Sequence, residues 1–235
     1  MDLTTTTKLN NGVEMPWVGF GVFQTNPGKE VEDSVRWALE AGYRHIDTAA
    51  AYRNEEGVGK AVREVGIPRD ELFVTTKVWN SDQGYDSTLK AMETSLHKLQ
   101  MDYVDLYLIH WPVPGKYKET WRAMERLLDE GHTRAIGVSN FLIHHLEDIA
   151  EDSDIVPAVD QVEFHPFLVQ EKLLSYCREK GIQLEAWSPL TRGRYLDNDV
   201  IQGIAKKHNK TPAQVLLRWD LHKGIVTIPK SVHKD

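Results

Sequence analysis

Residues 72–110, with the sequence LFVTTKVWNSDQGYDSTLKAMETSLHKLQMDYVDLYLIH, contain the pattern that decides the fold. A short apolar run rich in β-branched residues opens the stretch and another closes it, and each has the length of a buried strand. Between the two runs, apolar residues recur at intervals of three and four, as on one face of an α-helix: Leu89, Met92, Leu96 and Leu99. The stretch therefore predicts a strand, a helix and a second strand.

The same unit of strand and helix recurs along the chain. Strand-like runs lie at residues 18–23, 45–49, 72–78, 104–110, 134–140, 158–164, 183–189 and 225–230. Because these runs are too continuously apolar for a sheet with one wet face, they indicate a parallel sheet that is covered on both faces. We therefore expect an α/β fold, a closed (β/α)₈ TIM barrel. An open dinucleotide-binding sheet usually carries a GxGxxG turn after its first strand, and this chain lacks that turn.

The two ends of the chain add further elements to the barrel. The segment TKLNNGVEMP predicts an N-terminal β-hairpin that turns at Asn11 and Gly12. Residues 200–222 predict two successive helices, with Pro212 near the start of the second. Since no linker, composition break or low-complexity stretch interrupts the chain, we expect residues 1–235 to form one domain.

Composition excludes several classes of protein. The chain has 28 Lys and Arg against 35 Asp and Glu, a net charge of -7, and no long basic run, so nucleic acid is not an expected partner. No window approaches the roughly 20 apolar residues of a membrane span, and the N-terminus lacks a signal-peptide pattern. The single cysteine, Cys177, fits a reducing compartment. We expect a cytoplasmic protein that does not bind membranes.

Polar residues appear near the ends of four of the apolar runs. They are Asp47, Lys77, His110 and Asn140, which are 30, 33 and 30 residues apart. Each interval is one strand-and-helix unit, and the carboxyl ends of all strands in a barrel open onto one face. These side chains are therefore expected to converge. Burying an acid, a base and an imidazole together is costly unless they pair with one another.

Tyr52 adds a proton donor to this group, because it lies five residues after Asp47 in the following loop. A tyrosine has an ordinary pKa of about 10, and a neighbouring ammonium lowers that value by about 1–3 units. Lys77 would supply the ammonium, Asp47 would keep Lys77 charged, and His110 could hydrogen-bond an oxygen held beside the phenol. Together these residues predict proton donation to a carbonyl oxygen.

Several blocks of sequence are similar to those of the aldo-keto reductase family. The matching blocks, in family order, are GYRHIDTAAAYRNEEGVG, LFVTTKVWN, VDLYLIHWP, RAIGVSNF, VEFHP, WSPL and IPKS. They cover nearly the whole chain. The sequence, particularly the segments NSDQGY and LRWDL, resembles that of the small bacterial and protozoan branch, which reduces diketogluconate, glyoxals and related carbonyls.

The resemblance implies an oxidoreductase that passes hydride from NADPH to an aldehyde or ketone, without a metal, as a monomer. Its catalytic tetrad would be Asp47, Tyr52, Lys77 and His110. The residues implied for the cofactor are Ser139, Asn140 and Gln161 at the carboxamide, Trp187 on the nicotinamide ring, Ser188 and Leu190 at the pyrophosphate, and Lys230 and Ser231 at the 2′-phosphate. The implied aromatic walls of the substrate pocket are Phe23, Trp79 and Trp111.

The chain also departs from the family pattern. It stops at Asp235, where that pattern continues with an adenine-stacking arginine, a last helix and a C-terminal loop. Asp160 stands where the family commonly has asparagine. Two other functions stay open at this point. One is a regulatory barrel that binds nicotinamide cofactor without useful turnover, and the other is a metal-dependent hydrolase that uses His110 and Asp47.

Overall fold

A computed structural model of the chain describes residues 2–234, in which eight parallel strands form one sheet. These strands are β3 Phe20–Gly21, β4 His45–Asp47, β5 Phe73–Val78, β6 Val104–Ile109, β7 Thr133–Ser139, β8 Val159–Glu163, β9 Gln183–Trp187 and β10 Val226–Thr227. Each strand pairs with the next along the chain. The helices are α1 Lys29–Glu40, α2 Glu55–Glu64, α3 Tyr85–Leu99, α4 Tyr117–Asp129, α5 Ile143–Ala150, α6 Glu171–Lys180, α7 Asp199–His208 and α8 Pro212–His222.

Backbone hydrogen bonds between the first and last strand segments close the sheet. The amide of Gly19 donates to the carbonyl of Thr227 at 2.9 Å, and the amide of Thr227 donates to Trp17 at 3.1 Å. The amide of Gly21 donates to Pro229 at 2.9 Å. The predicted (β/α)₈ barrel is therefore confirmed. β3 and β10 have only two residues each, so both are shorter than the predicted runs. The residues that flank these two strands do not continue the regular pattern of strand pairing.

The N-terminal hairpin, β1 Thr6–Lys8 and β2 Glu14–Pro16, is antiparallel, as predicted. Gly12 in its turn has φ 90°, a left-handed conformation that glycine adopts without strain. Leu9 and Met15 of the hairpin pack with inward-facing strand residues such as Phe73 and Leu106. The hairpin thus covers one end of the barrel, and the opposite end is where the strands finish.

Alternation along the strands separates two layers of core. In β5, Phe73, Thr75 and Lys77 share the inner face, since successive side chains of a strand point to opposite sides. The outward side chains, such as Tyr107 and Ile109 of β6, pack against the helices. All residues of β5 and β6 are buried, so neither strand has a face open to water. Polar inward residues therefore stand out from their surroundings.

None of the helices within residues 2–234 is long and apolar enough to cross a membrane.

Helices α2 and α3 approach closely at Gly59. A Cβ at this position would overlap the backbone carbonyl of Leu99, the last residue of α3. Gly203, inside α7, is exposed, and a Cβ there would meet no atom within 4 Å. Both glycines lie inside a helix, but only Gly59 is required by packing.

We expect Gly59→Ala to lower the free energy of unfolding by about 2 kcal/mol, because the backbone contact forces the helices apart. Gly203→Ala should raise it by about 0.5–1 kcal/mol, since alanine has the higher helix propensity and the site is open. Urea denaturation followed by circular dichroism measures both. Equal effects of the two substitutions would show that helix packing at Gly59 is not tight.

Candidate active site

The structure brings the predicted polar residues to the carboxyl ends of neighbouring strands. Asp47 is the last residue of β4, and Lys77 is the next-to-last residue of β5. His110 follows β6 directly, and Asn140 follows β7. They converge because the strands are parallel and in sequence order.

Lys77 and Asp47 form a buried ion pair. The Nζ atom of Lys77 donates to Asp47 Oδ1 at 2.7 Å, to Asp47 Oδ2 at 2.8 Å and to the backbone carbonyl of Thr48 at 2.8 Å. Three acceptors thus match the three protons of the ammonium. Burial lowers the pKa of Lys77, but Asp47 and the Tyr52 phenol outweigh it, and the pKa rises above its ordinary value. Lys77 therefore remains charged.

The Tyr52 ring lies against this pair, on a 3₁₀ turn at Ala50–Tyr52. Its centroid is 5.1 Å from Lys77 Nζ, 5.1 Å from the Phe23 ring and 5.6 Å from the His110 ring. Burial raises the pKa of the phenol, and Lys77 opposes that rise without cancelling it.

The expectation that Lys77 brings the pKa of Tyr52 below 10 is therefore wrong for this structure, because it left out burial. The charge of Lys77 does act in the predicted direction. Desolvation of the phenolate is the larger effect. The consequence is a phenol that keeps its proton at neutral pH, as a proton donor must.

His110 is a neutral imidazole. Burial, and then the charge of Lys77, lower its pKa to about 3. Its ring meets Tyr52 and Trp79 edge-on, with centroids 5.6 Å and 5.1 Å away. Its Nδ1 atom is buried and has no hydrogen-bond partner among residues 2–234. A neutral His110 can donate one hydrogen bond to an oxygen in the cavity without competing for the proton of Tyr52.

The residues predicted for the nicotinamide carboxamide form one connected group. Asn140 has φ 62°, and its amide nitrogen donates to the His110 carbonyl and to Ser139 Oγ, both at 3.0 Å. The indole nitrogen of Trp187 donates to Asn140 Oδ1 at 3.0 Å. Ser139 Oγ donates to the backbone carbonyl of Gln161 at 2.8 Å.

Gln161 connects this group to the ion pair. Its Nε2 atom donates to Asp47 Oδ2 and to Glu185 Oε2, each at 2.8 Å. Both oxygens of Asp47 are thus engaged by Lys77 and Gln161, which disfavours the metal-ligand role considered for it. Sequence reasoning missed Glu185. Its signal was a charged residue in the run QLEAW, on the same face of β9 as Trp187.

These residues open into a cavity of about 1090 Å³. The predicted site residues that line it are Asp47, Tyr52, His110, Ser139, Asn140, Gln161, Trp187, Ser188, Leu190 and Lys230, with Phe23, Trp79 and Trp111. Lys77 is fully buried behind Tyr52 and does not line the cavity. Ser231 does not line it either, and its hydroxyl donates instead to the His233 carbonyl at 3.2 Å.

Positively charged side chains also line the cavity. Lys230 and Arg192 are two of them, and Ser188 and Leu190 line it as well. Arg192 was missed by the sequence reasoning, although it follows the WSPL block by only two residues. The loop is strained, because Ser188, Thr191 and Arg192 all have φ between 52° and 55°. Two cations beside a strained loop suit a phosphate-bearing ligand.

The cavity wall beside Tyr52 and His110 is aromatic. Phe23, Trp79 and Trp111 line it and are 47%, 37% and 42% exposed. Large aromatic rings that are exposed to this extent, and that lie beside polar side chains, are typical of a binding pocket rather than of core packing. The cavity also continues along α3, past Lys90 and Lys98.

Comparison with known proteins gives consistent matches. The profile of the Aldo/keto reductase family matches residues 17–235. A glyoxal reductase of Bacillus subtilis (strain 168) is 61% identical over 230 residues, which are 98% of this chain and 83% of that protein. A methylglyoxal reductase, DkgA, of Escherichia coli (strain K12) is 48% identical over 232 residues, 97% of this chain and 83% of its own.

A solved structure has the same fold as this chain. The crystal structure of an aldo-keto reductase of Bombyx mori in complex with NADP matches with a TM-score of 0.93 and 38% identity. The match covers 100% of this chain and 85% of the other.

The buried ion pair generates a test of coupling. We expect Asp47→Asn to cost about 3–5 kcal/mol of unfolding free energy, because it leaves the Lys77 ammonium buried without a counter-charge. The double variant with Lys77→Met should lose less than the sum of the two single losses, by at least about 1 kcal/mol. Urea denaturation of the four proteins gives this coupling energy. Additive single effects would show that the charges do not stabilise one another.

Proposed function

The chain belongs to the aldo/keto reductase family, and from this premise we propose that it reduces aldehydes or ketones to alcohols with NADPH. The observation that carries the proposal is the Tyr52 phenol on the cavity wall, with Lys77 Nζ 5.1 Å from the centroid of its ring and the His110 ring 5.6 Å away. This set of groups can give a proton to an oxygen that gains negative charge.

Tyr52 is the general acid in this proposal. As charge develops on the carbonyl oxygen of the substrate, the phenol donates its proton to that oxygen. The Lys77 ammonium stabilises the phenolate that remains, and Asp47 holds the ammonium in place. His110 donates a hydrogen bond that orients the carbonyl. General acid catalysis of this kind contributes about 10²–10⁴ in rate.

The residues present fit a nicotinamide cofactor. When bound, NADPH supplies the hydrogen and electron pair that reach the carbonyl carbon. Ser139, Asn140 and Gln161 would hold its carboxamide, and Trp187 would cover its ring. Ser188 and Leu190 would hold the pyrophosphate. The cavity has the volume of a large ligand, and both polar groups and cations line it, which supports this placement.

Lys230 and Arg192 favour the phosphorylated cofactor. Both line the cavity. A lysine acts as a point charge for phosphate, and an arginine adds planar hydrogen bonding. Because NADPH carries a 2′-phosphate that NADH lacks, these cations support NADPH as the cofactor. Ser231 could join them only if its hydroxyl turned from the His233 carbonyl.

Small or dicarbonyl compounds are the proposed substrates. The glyoxal and methylglyoxal reductases that match the chain point to this class. Phe23, Trp79 and Trp111 would enclose the carbon skeleton. The proposal also includes a single domain that acts as a cytoplasmic monomer, and the buried lone Cys177 fits a reducing compartment.

The direct test is oxidation of NADPH with methylglyoxal, followed at the nicotinamide absorbance. We expect turnover in the wild type and a loss of about 10²–10⁴ in kcat with Tyr52→Phe, because only the acid is removed. Binding of NADPH should be retained.

Tyr107→Phe is the matched control, since the Tyr107 hydroxyl is buried in β6 without a partner among residues 2–234. It should leave kcat within about twofold of wild type. Unchanged turnover in Tyr52→Phe would remove Tyr52 as the acid. Tight NADPH binding without repeated turnover in the wild type would instead support a regulatory barrel.

A second test concerns the choice of cofactor. Lys230→Ala should raise the KM for NADPH about fivefold to tenfold and leave the KM for NADH unchanged, because only NADPH has the phosphate that Lys230 would bind. Lys207→Ala, on the exposed face of α7, is the control and should change neither value. Equal weakening of both cofactors by Lys230→Ala would contradict the assignment.

A further inference from the structure

A carboxyl group lies below the candidate active site and is not part of the tetrad. Glu185, in the middle of β9, is fully buried. Its Oε2 atom accepts from Gln161 Nε2 at 2.8 Å. Its Oε1 atom lies 3.7 Å from His45 Nε2, too far for a hydrogen bond, and has no partner among residues 2–234.

Nothing around Glu185 neutralises it directly. Burial, and then the charge of Asp47, raise the pKa of Glu185 to about 8. Burial, and then Lys77, lower the pKa of His45 to about 3, so the nearest imidazole is neutral. Lys77 is already paired with Asp47. A buried carboxyl without a cation partner is costly for the fold, and such violations concentrate where function requires them.

The hydrogen-bond count of Gln161 shows what the carboxyl does. A side-chain amide has two N–H hydrogens and one carbonyl oxygen. Both hydrogens of Gln161 are engaged, one by Asp47 and one by Glu185. The carbonyl oxygen, Oε1, receives no hydrogen bond from residues 2–234, and Gln161 lines the cavity. The Gln161 amide is therefore held by both of its N–H hydrogens, and its carbonyl oxygen is free to accept a hydrogen bond.

Two hydrogen bonds restrict the orientation of the Gln161 amide more than a single hydrogen bond would. With Asp47 alone, the Gln161 amide could rotate about a single hydrogen bond and turn its oxygen away from the cavity. The second hydrogen bond, to Glu185, fixes the amide plane. A neutral Glu185 serves as well as an ionised one, since the carbonyl oxygen of a protonated carboxyl also accepts.

We propose that Glu185 is a positioning residue, which holds Gln161 so that its Oε1 atom accepts a hydrogen bond from the carboxamide N–H of the nicotinamide cofactor. This inference rests on the proposed function, because it requires that a nicotinamide lies beside Gln161. It assigns to Glu185 a contribution to cofactor binding that is confined to the nicotinamide end. The contacts proposed for Lys230 and Arg192 with the 2′-phosphate do not depend on it.

The test compares two ligands in fluorescence titrations, which the seven tryptophans of the chain allow. One ligand is NADPH. The other is 2′-phospho-ADP-ribose, which has the adenosine, pyrophosphate and 2′-phosphate but no nicotinamide. Glu185→Met keeps the length of the side chain and removes the acceptor. Glu185→Gln keeps an acceptor oxygen and is the matched control.

We expect Glu185→Met to raise the Kd for NADPH about fivefold to tenfold, the effect of one lost hydrogen bond. The Kd for 2′-phospho-ADP-ribose should stay within about twofold of wild type. Glu185→Gln should leave both values within about twofold. Thermal unfolding should show that Glu185→Met is folded at the temperature of the titrations, so that a change in Kd is not a loss of structure.

An unchanged Kd for NADPH in Glu185→Met would overturn the inference, and so would equal weakening of both ligands, which indicates general damage. If Glu185→Met does not fold, Glu185→Thr, which is too short to reach Gln161, takes its place with the same expected Kd values. A wild-type protein that binds neither ligand would overturn the proposed function itself, and with it this inference.

Discussion

The ion pair between Lys77 and Asp47 is the interaction on which the rest of the site depends. An ammonium with no exposure to water is tolerated only where its protons are all accepted, and Asp47 and the Thr48 carbonyl accept them. The pair holds a positive charge behind Tyr52. The same charge helps to keep His110 neutral. One buried charge therefore acts on the pKa of both groups, and in each case it is second to burial.

The barrel makes this contact possible. β4, β5 and β6 are adjacent, parallel and in sequence order, so residues about one unit apart in sequence become neighbours in space. Alternation along β5 places Lys77 on the inner face, in the same row as Phe73 and Thr75. The ion pair extends through Gln161 to Glu185 on β9. A continuous polar network thus crosses an interior that is otherwise apolar.

Much of this arrangement can be predicted from sequence, and the exceptions have physical reasons. Spacing locates Asp47, Lys77 and His110, because strand periodicity and barrel topology are both local rules applied repeatedly. The pKa of Tyr52 was predicted in the wrong direction, since burial of a loop residue depends on side chains brought from other strands. Glu185 was missed for the same reason, because its role depends on a contact with Gln161, which lies on the neighbouring strand. Ser231 was placed by resemblance, which does not show where its hydroxyl points.

The state of the Tyr52 phenol is the quantity that tests the proposed chemistry most directly. It can be measured by NMR titration of protein labelled with ¹³C at the tyrosine ζ carbon, with the Tyr52 signal assigned by its loss in Tyr52→Phe. We expect a protonated phenol at pH 7, with a pKa above the ordinary value of about 10, and a further rise in pKa in Lys77→Met. A phenolate at pH 7, or a pKa that does not change when Lys77 is replaced, would contradict proton donation by a phenol that is buried beside this cation.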